Sequence, residues 1–252
     1  MKRECTVIKV GGARLRDPAY VGRLAAYVGS IVRRGEAVLV VHGGGPEIAE
    51  LHRDLDVAFT KHRGLRVTSE ESMPLVTMVL CGLVNKRVVA RFVADGIRAV
   101  GLCGVDYGLL TASLLNPEQL GRVGGPPRVD AARLWRVIDD GAVPVLAPVC
   151  LGRDGQPVNV NADTVAHAVS TALPATTLDF VSDVPGVRTA ESEAVPSLDA
   201  ARIQRLLRGS QVSGGMIPKL QAALAAIDAG VGRVRVGDLR GMQRGTATEV
   251  TA

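Results

Sequence analysis

The chain has 252 residues, 47% hydrophobic and 22% charged, with 29 Gly, four Cys and a formal net charge of +5. That length and apolar content can bury a large α/β core, and they exclude a disordered or disulfide-stapled chain. No apolar run reaches about 18 residues without a charge or a break, and Met1-Lys2-Arg3-Glu4 leads straight into a strand with no signal-peptide core; the expectation is a cytoplasmic protein that does not span a membrane.

In chain order, short β-branched runs alternate with amphipathic segments. A strand is expected at residues 6–10, a helix at 18–34, a strand at 37–41 and a helix at 46–54. A long helix over 69–95 and a strand at 98–102 follow, then a surface loop or hairpin over 116–127, a helix at 130–140 and a strand at 143–147. The remainder reads as a helix at 163–172, a strand at 177–181, helices at 197–207 and 214–229, and a strand at 233–236. This alternation predicts a mostly parallel sheet with helices on both faces. The loops at the carboxyl ends of its strands then share one crevice, where open α/β sheets bind ligands.

Of 30 basic residues only five are lysine: Lys2, Lys9, Lys61, Lys86 and Lys219. Lys9 and Lys219 each lie beside a Gly pair, which suits phosphate sites that need a compact ammonium and not a planar fork. The arginines are scattered among carboxylates with no aromatic-interleaved basic stripe, so nucleic acid is not an expected partner; the basic balance suits anionic substrates. Cys5, Cys81, Cys103 and Cys150 show no CxxC spacing and sit in apolar stretches, where they read as small buried hydrophobes. Neither a disulfide framework nor a metal site is expected.

Five constellations carry the chemistry. Lys9-Val10-Gly11-Gly12 delivers a lysine at a strand end, followed by glycines that let backbone N–H groups approach an anion; taken alone, such a run is also an ordinary tight turn. His42-Gly43-Gly44-Gly45-Pro46 builds a helix N-terminus whose amides and dipole favour a carboxylate or phosphate, and it is neither a P-loop nor a dinucleotide fingerprint. Gly64-Leu65-Arg66-Val67-Thr68 sets an arginine fork just before a helix. Asn159-Val160-Asn161-Ala162-Asp163 puts two amides on one face of an extended segment, with Asp163 either a plain N-cap or an anchor for two lysines. Ser213-Gly214-Gly215-Met216-Ile217-Pro218-Lys219 opens a helix with a second Gly pair and a lysine.

The order IKVGG, VHGGGPEI, GLRVT, MVLCGLVNKRVVARF, AVGLCGVD, NVNAD, VSDVPGV, SGGMIPKL and GTATEV, running from Val7 to Val250, resembles the amino-acid kinase family, and within it the acetylglutamate kinases. The resemblance implies a three-layer α/β/α sandwich around a mainly parallel central sheet, the carbamate kinase-like arrangement, with N-acetyl-L-glutamate on residues 1–174 and ATP on 175–252. It implies ATP-dependent phosphorylation of the γ-carboxylate in arginine biosynthesis, with Mg²⁺ accompanying ATP. Lys9 and Lys219 would contact the transferring phosphoryl group and Asp163 would hold both ammoniums. Gly44, Gly45, Arg66, Asn159 and Asn161 would bind the substrate, with Arg66 on its α-carboxylate. Gly11 and Gly12 would cradle phosphate, while Ser182, Asp183, Gly186, Val187, Gly214, Gly215 and Met216 would line the nucleotide pocket. The nucleophile is a carboxylate already ionised at neutral pH, so no general base is required; the demand is for positive charge and alignment.

Two positions depart from the family pattern. Val105 stands where a lysine is common and Tyr107 where a glycine is common, and an apolar residue at the first place also occurs in the kinases that act on aminoadipate or glutamate carried on the LysW protein. That substrate stays open as an alternative, as does a non-catalytic sensor of acetylglutamate or nucleotide, although Lys9, Lys219 and Asp163 are all retained. Uridylate kinase shares the fold but would not need GLRVT or NVNAD. The short lead before the first strand implies a homodimer without strong arginine feedback, and the short segment after Asp238 puts the usual end of the C-terminal lobe in doubt.

Overall fold

The computed structural model describes residues 4–62, 64–188, 194–209, 212 and 214–251. Eight strands form the main sheet: β1 (Cys5–Val10), β2 (Ala37–His42), β3 (Ala99–Cys103), β4 (Val143–Ala147), β5 (Thr177–Val181), β6 (Ser197–Asp199), β7 (Arg233–Gly237) and β8 (Thr248–Thr251). They lie in the order β6-β8-β7-β5-β1-β2-β4-β3, with every pair parallel except β7 and β8. All six strands expected from sequence are present, and β1 sits in the middle of the sheet.

The helices are α1 (Pro18–Val32), α2 (Gly45–Asp54), α3 (Ser72–Ala94), α4 (Ala131–Asp139), α5 (Ala162–Ala172), α6 (Ala200–Arg208), α7 (Met216–Asp228) and α8 (Leu239–Arg244). Asp17, Asp130, Asn161, Asp199 and Asp238 each accept a main-chain N–H of the first turn of α1, α4, α5, α6 and α8. Such a cap stabilises a helix start by about 1 kcal/mol.

Alternation along the strands divides the core in two. Val7, Leu39, Val41, Phe180 and Val234 face one way and pack with Leu134, Val165, Ile203 and Leu220 of α4 to α7. Ile8, Val10, Val38, Val40 and Val145 face the other way, against Leu24, Ile48, Val84 and Leu239 of α1, α2, α3 and α8. Both faces are covered, which is why the strands read as unbroken apolar runs. By length and composition α3 is apolar enough to cross a membrane; here Val76, Val79, Val88 and Phe92 bury its apolar face in the second core.

One expectation is corrected and another is refined. Residues 197–199 are not helical: they pair with Glu249, Val250 and Thr251, remote in sequence, and the helix starts only after Asp199 caps it. Of the surface loop or hairpin expected over residues 116–127, the hairpin forms: Leu115 N–H donates to the Val123 carbonyl and Gly125 N–H to the Ser113 carbonyl, each at 2.9 Å. After one helical turn, Pro117–Leu120, the strand Val123–Gly124 joins a second, five-stranded sheet, with Leu120, Arg122 and Val123 buried. Arg122 explains the order, because its guanidinium ion-pairs with Asp154 and donates to the Pro157 carbonyl. The segment after Asp238, in doubt from sequence, forms α8 and then β8, which inserts between β6 and β7.

Candidate active site

Lys9 is the penultimate residue of β1 and has the parity of Cys5 and Val7, so its side chain emerges on the face covered by α5 and α7. There its Nζ lies 2.9 Å from Asp163 Oδ1. Asp163 is not the N-cap of α5. Asn161 takes that place, accepting the Asp163 N–H at 2.8 Å, and the Asp163 carboxylate is left free for the lysines. Lys219, in the first turn of α7, brings its Nζ to 3.6 Å from Asp163 Oδ2. The three side chains are only 6%, 6% and 11% exposed, so two ammoniums share one carboxylate with little water between them. Burial, followed by the charge of Lys9, pushes the Lys219 pKa down to about 8. The site therefore keeps a surplus positive charge at neutral pH, at the carboxyl edge of the sheet.

The glycine loops after β1 and β2 meet beside this cluster. A Cβ on Gly12 would fall 2.6 Å from both N and Cα of Gly44, and one on Gly44 would fall 2.8 Å from Leu80 Cδ2. The two loops can touch because Gly12 lacks a side chain, and the second loop can lie on α3 because Gly44 does. Gly43 N–H donates to the Val10 carbonyl at 2.9 Å, whereas Gly11 and Gly45 face open space. Glu47, in the first turn of α2, is buried between Arg16 Nε at 3.3 Å and Arg87 Nη1 at 3.0 Å, tying both loops to α3.

His42 is fully buried, and burial lowers its pKa to about 4. The neutral ring donates from Nδ1 to the Gly43 carbonyl at 3.1 Å, while Asn85 donates its amide to Nε2 at 3.1 Å and to the Val145 carbonyl at 2.8 Å. This histidine shapes the loop and carries no mobile proton at neutral pH. Sequence reading missed Asn85, since an asparagine inside an apolar helix gives no sign of the histidine it meets.

A cavity of about 210 Å³ reaches the start of α5, where Ala162, the residue before Asp163, borders it; it is also lined by Gly43, Gly44 and Gly45, by Arg66, and by Asn159 and Asn161. It is smaller than the roughly 300–1,000 Å³ of sites for drug-sized ligands, so it fits a small metabolite. Arg66 donates from Nη2 to the Gly45 carbonyl at 3.1 Å and stacks 4.3 Å above the Phe59 ring. Its other terminal nitrogen, Nη1, is buried without a partner, a position for an incoming acceptor. Asn159 donates to Thr68 Oγ1 at 3.0 Å, and residues 120–122 bond to Thr68 on one side and Asn159 on the other. The segment expected to be a loop or hairpin is thus the brace between the Arg66 turn and the two asparagines. Lys61, on the hairpin before Arg66, also lines the cavity, a role its sequence position did not signal.

The residues assigned to a nucleotide pocket are divided by the structure. Ser182 and Asp183 border a cleft with Tyr20 and Arg23. Gly214 and Gly215 precede α7 and are exposed, and Met216 begins it; Ser213 lies outside the described residues. Gly186 and Val187 are buried. Val187 N–H donates to Thr248 Oγ1 at 2.9 Å, and a Cβ on Gly186 would fall 2.5 Å from the same oxygen. At the departure site, Tyr107 has φ 54° and its side chain is 76% exposed. The left-handed backbone accounts for the glycine common there.

Among the described residues no group of three or more His, Cys, Asp or Glu could hold a metal ion. A cation accompanying a nucleotide would take its oxygens from phosphate and water, the usual habit of Mg²⁺.

Residues 4–238 match the amino acid kinase family. A protein named acetylglutamate kinase from Chloroflexus aurantiacus is 44% identical over 245 residues, covering 95% of this chain and 94% of that protein. Another so named, from Roseiflexus sp., is 43% identical over 251 residues, 99% of this chain and 94% of that one. Among solved structures, smu.665 from Streptococcus mutans UA159 superposes with a TM-score of 0.89 at 28% identity over the whole of both chains. Carbamate kinase from Giardia has a TM-score of 0.72 at 14% identity, over 100% of this chain and 99% of that one, and bears on the fold alone. The chain belongs to the amino acid kinase family.

Proposed function

We propose that this protein is an acetylglutamate kinase that transfers the γ-phosphoryl group of ATP to the γ-carboxylate of N-acetyl-L-glutamate. The observation that carries the reading is the Lys9–Asp163–Lys219 cluster beside a small cavity into which Arg66 presents an unpartnered nitrogen. Residues 1–174 hold the acetylated amino acid and 175–252 the nucleotide. Arg66 takes the α-carboxylate, and Asn159 and Asn161 fix the acetylated end. The N–H groups of Gly11 and Gly12 cradle phosphate oxygens, and Gly44 and Gly45 line the substrate.

The substrate carboxylate attacks the γ-phosphorus and the bond to ADP breaks, so the charge that moves stays on oxygens within reach of the two ammoniums. Asp163 prevents those ammoniums from repelling each other out of line. Fixed positive charge of this kind is the main contribution a protein makes to phosphoryl transfer. Mg²⁺, where it accompanies ATP, would neutralise part of the phosphate charge. We place the enzyme in the cytoplasm and assign it as a homodimer, a reading supported by Met78, Leu83 and Val93, which expose 52–60% of their surface along α3.

The test is an ATP-dependent acyl-phosphate assay trapped with hydroxylamine, run with N-acetylglutamate, N-acetylaminoadipate, glutamate and UMP. Turnover of the first above the others is expected. Binding of N-acetylglutamate without any turnover would establish a sensor in place of an enzyme.

A further inference from the structure

Arg66 stands on an element that cannot fix it unaided. Lys61–His62 pairs with Leu65–Arg66 as a two-stranded hairpin that joins neither larger sheet, and Lys61 lies directly opposite Arg66. An isolated hairpin is marginal in water, and like charges facing each other across it weaken it further. The direction of the Arg66 guanidinium must therefore be set from outside the hairpin.

Helix α2 sets it from two places. Its first residue, Gly45, offers the carbonyl that takes Arg66 Nη2 at 3.1 Å. About two turns further along α2, His52 is fully buried. Its Nδ1 donates to the Ile48 carbonyl at 2.7 Å, and Ser72 Oγ, which itself takes the Ser69 hydroxyl at 3.1 Å, donates to Nε2 at 3.0 Å. The ring held in this way meets Phe59 edge to face, with centroids 5.4 Å apart and planes at 73°. Phe59 in turn carries the Arg66 guanidinium 4.3 Å from its ring centre. With one face on a ring and Nη2 on a carbonyl, the guanidinium keeps little freedom, and the buried Nη1 is the nitrogen left for a ligand.

We propose that Phe59 and His52 are positioning residues: His52 orients the Phe59 ring, and the ring aims Arg66 at the α-carboxylate of the substrate. Neither belongs to a motif that marks it in the sequence. An aromatic face suits the task because it attracts a cation without occupying the N–H groups, whereas a carboxylate in its place would fill the fork and compete with the substrate. The inference rests on the proposed placement of that carboxylate at Arg66.

The test compares KM for N-acetylglutamate, KM for ATP and kcat in the full-length protein and its variants. Phe59→Leu keeps apolar bulk and loses the ring; it should raise the first by about tenfold and leave the other two within about twofold. Phe59→Tyr retains the ring and should keep the parental values. His52→Gln should raise the KM for N-acetylglutamate by about threefold. In an Arg66→Ala background, Phe59→Leu should add nothing further, because the platform matters only while the arginine is there. An unchanged KM in Phe59→Leu, or a full tenfold rise added to that of Arg66→Ala, would overturn the proposal. So would a rise in both KM values together with a lowered melting temperature, which marks general loosening. Parental KM in Arg66→Ala itself would instead remove the carboxylate from Arg66, and this inference with it.

Discussion

Lys219 Nζ and Asp163 Oδ2 lie 3.6 Å apart, although α7 delivers one and α5 the other, and the second oxygen of that aspartate is already held by Lys9 at 2.9 Å. One carboxylate therefore sets the spacing of two cations drawn from opposite ends of the chain. Removing it would leave two ammoniums facing each other with no counter-charge.

The pH dependence follows from Lys219. Its pKa in the fold is about 8 against the ordinary 10.5, so kcat/KM should fall as pH rises through about 8 in the free enzyme. Between those two values the unfolded chain binds the additional proton, and stability should increase with pH across that window. Lys219→Met should accordingly abolish turnover while raising stability at pH 7 by on the order of 2 kcal/mol. Urea melts beside the hydroxylamine assay check both; a destabilised Lys219→Met protein would contradict the burial cause.

The two glycines after β1 should respond differently. Gly12→Ala forces a Cβ against the Gly44 backbone at 2.6 Å, costing about 1–3 kcal/mol and separating the phosphate-facing loops, so kcat should drop at least tenfold. Gly11→Ala meets nothing within 4 Å, and its φ of −65° suits any residue. Its melting temperature should match the parent.

Arg66→Ala should raise the KM for N-acetylglutamate by on the order of a hundredfold, the loss of a charged fork costing about 2–5 kcal/mol. Its kcat should change far less. Arg66→Lys should recover little of the loss, because a single ammonium cannot span a carboxylate. Steady-state kinetics with either substrate varied would reveal an unchanged KM, which would remove Arg66 from its role.

A structural counterpart lies inside the sheet. Asp179, fully buried on β5, receives Arg235 Nε and Nη2 at 2.7 Å each and the Tyr27 hydroxyl at 2.5 Å. Asp179→Asn leaves a buried guanidinium without its counter-charge and should destabilise the protein by about 3–5 kcal/mol, visible as a lowered urea midpoint.

Tyr107 holds a left-handed backbone with an exposed side chain, a combination that costs about 1 kcal/mol relative to glycine. Tyr107→Gly should be neutral to slightly stabilising in a thermal melt, despite the greater freedom glycine gives the unfolded chain.

The sequence alone carried the strand and helix order, because hydrophobic alternation and capping residues act over a few positions. It also carried Lys9, Gly12, Arg66, Asp163 and Lys219 as candidates, since each sits in a short motif with a local physical reason. Residues 197–199 were misread because their strand depends on a partner about fifty residues away, and the choice between loop and hairpin at 116–127 stayed open because Arg122 is ordered by Asp154 and Pro157 across a different hairpin. Only tertiary structure decided that Asn161 caps α5 so that Asp163 meets Lys9 and Lys219, that the Val187 N–H donates to Thr248, and that Asn85 meets His42. Those are distances between elements, fixed by how the two cores pack and not by any local pattern of residues.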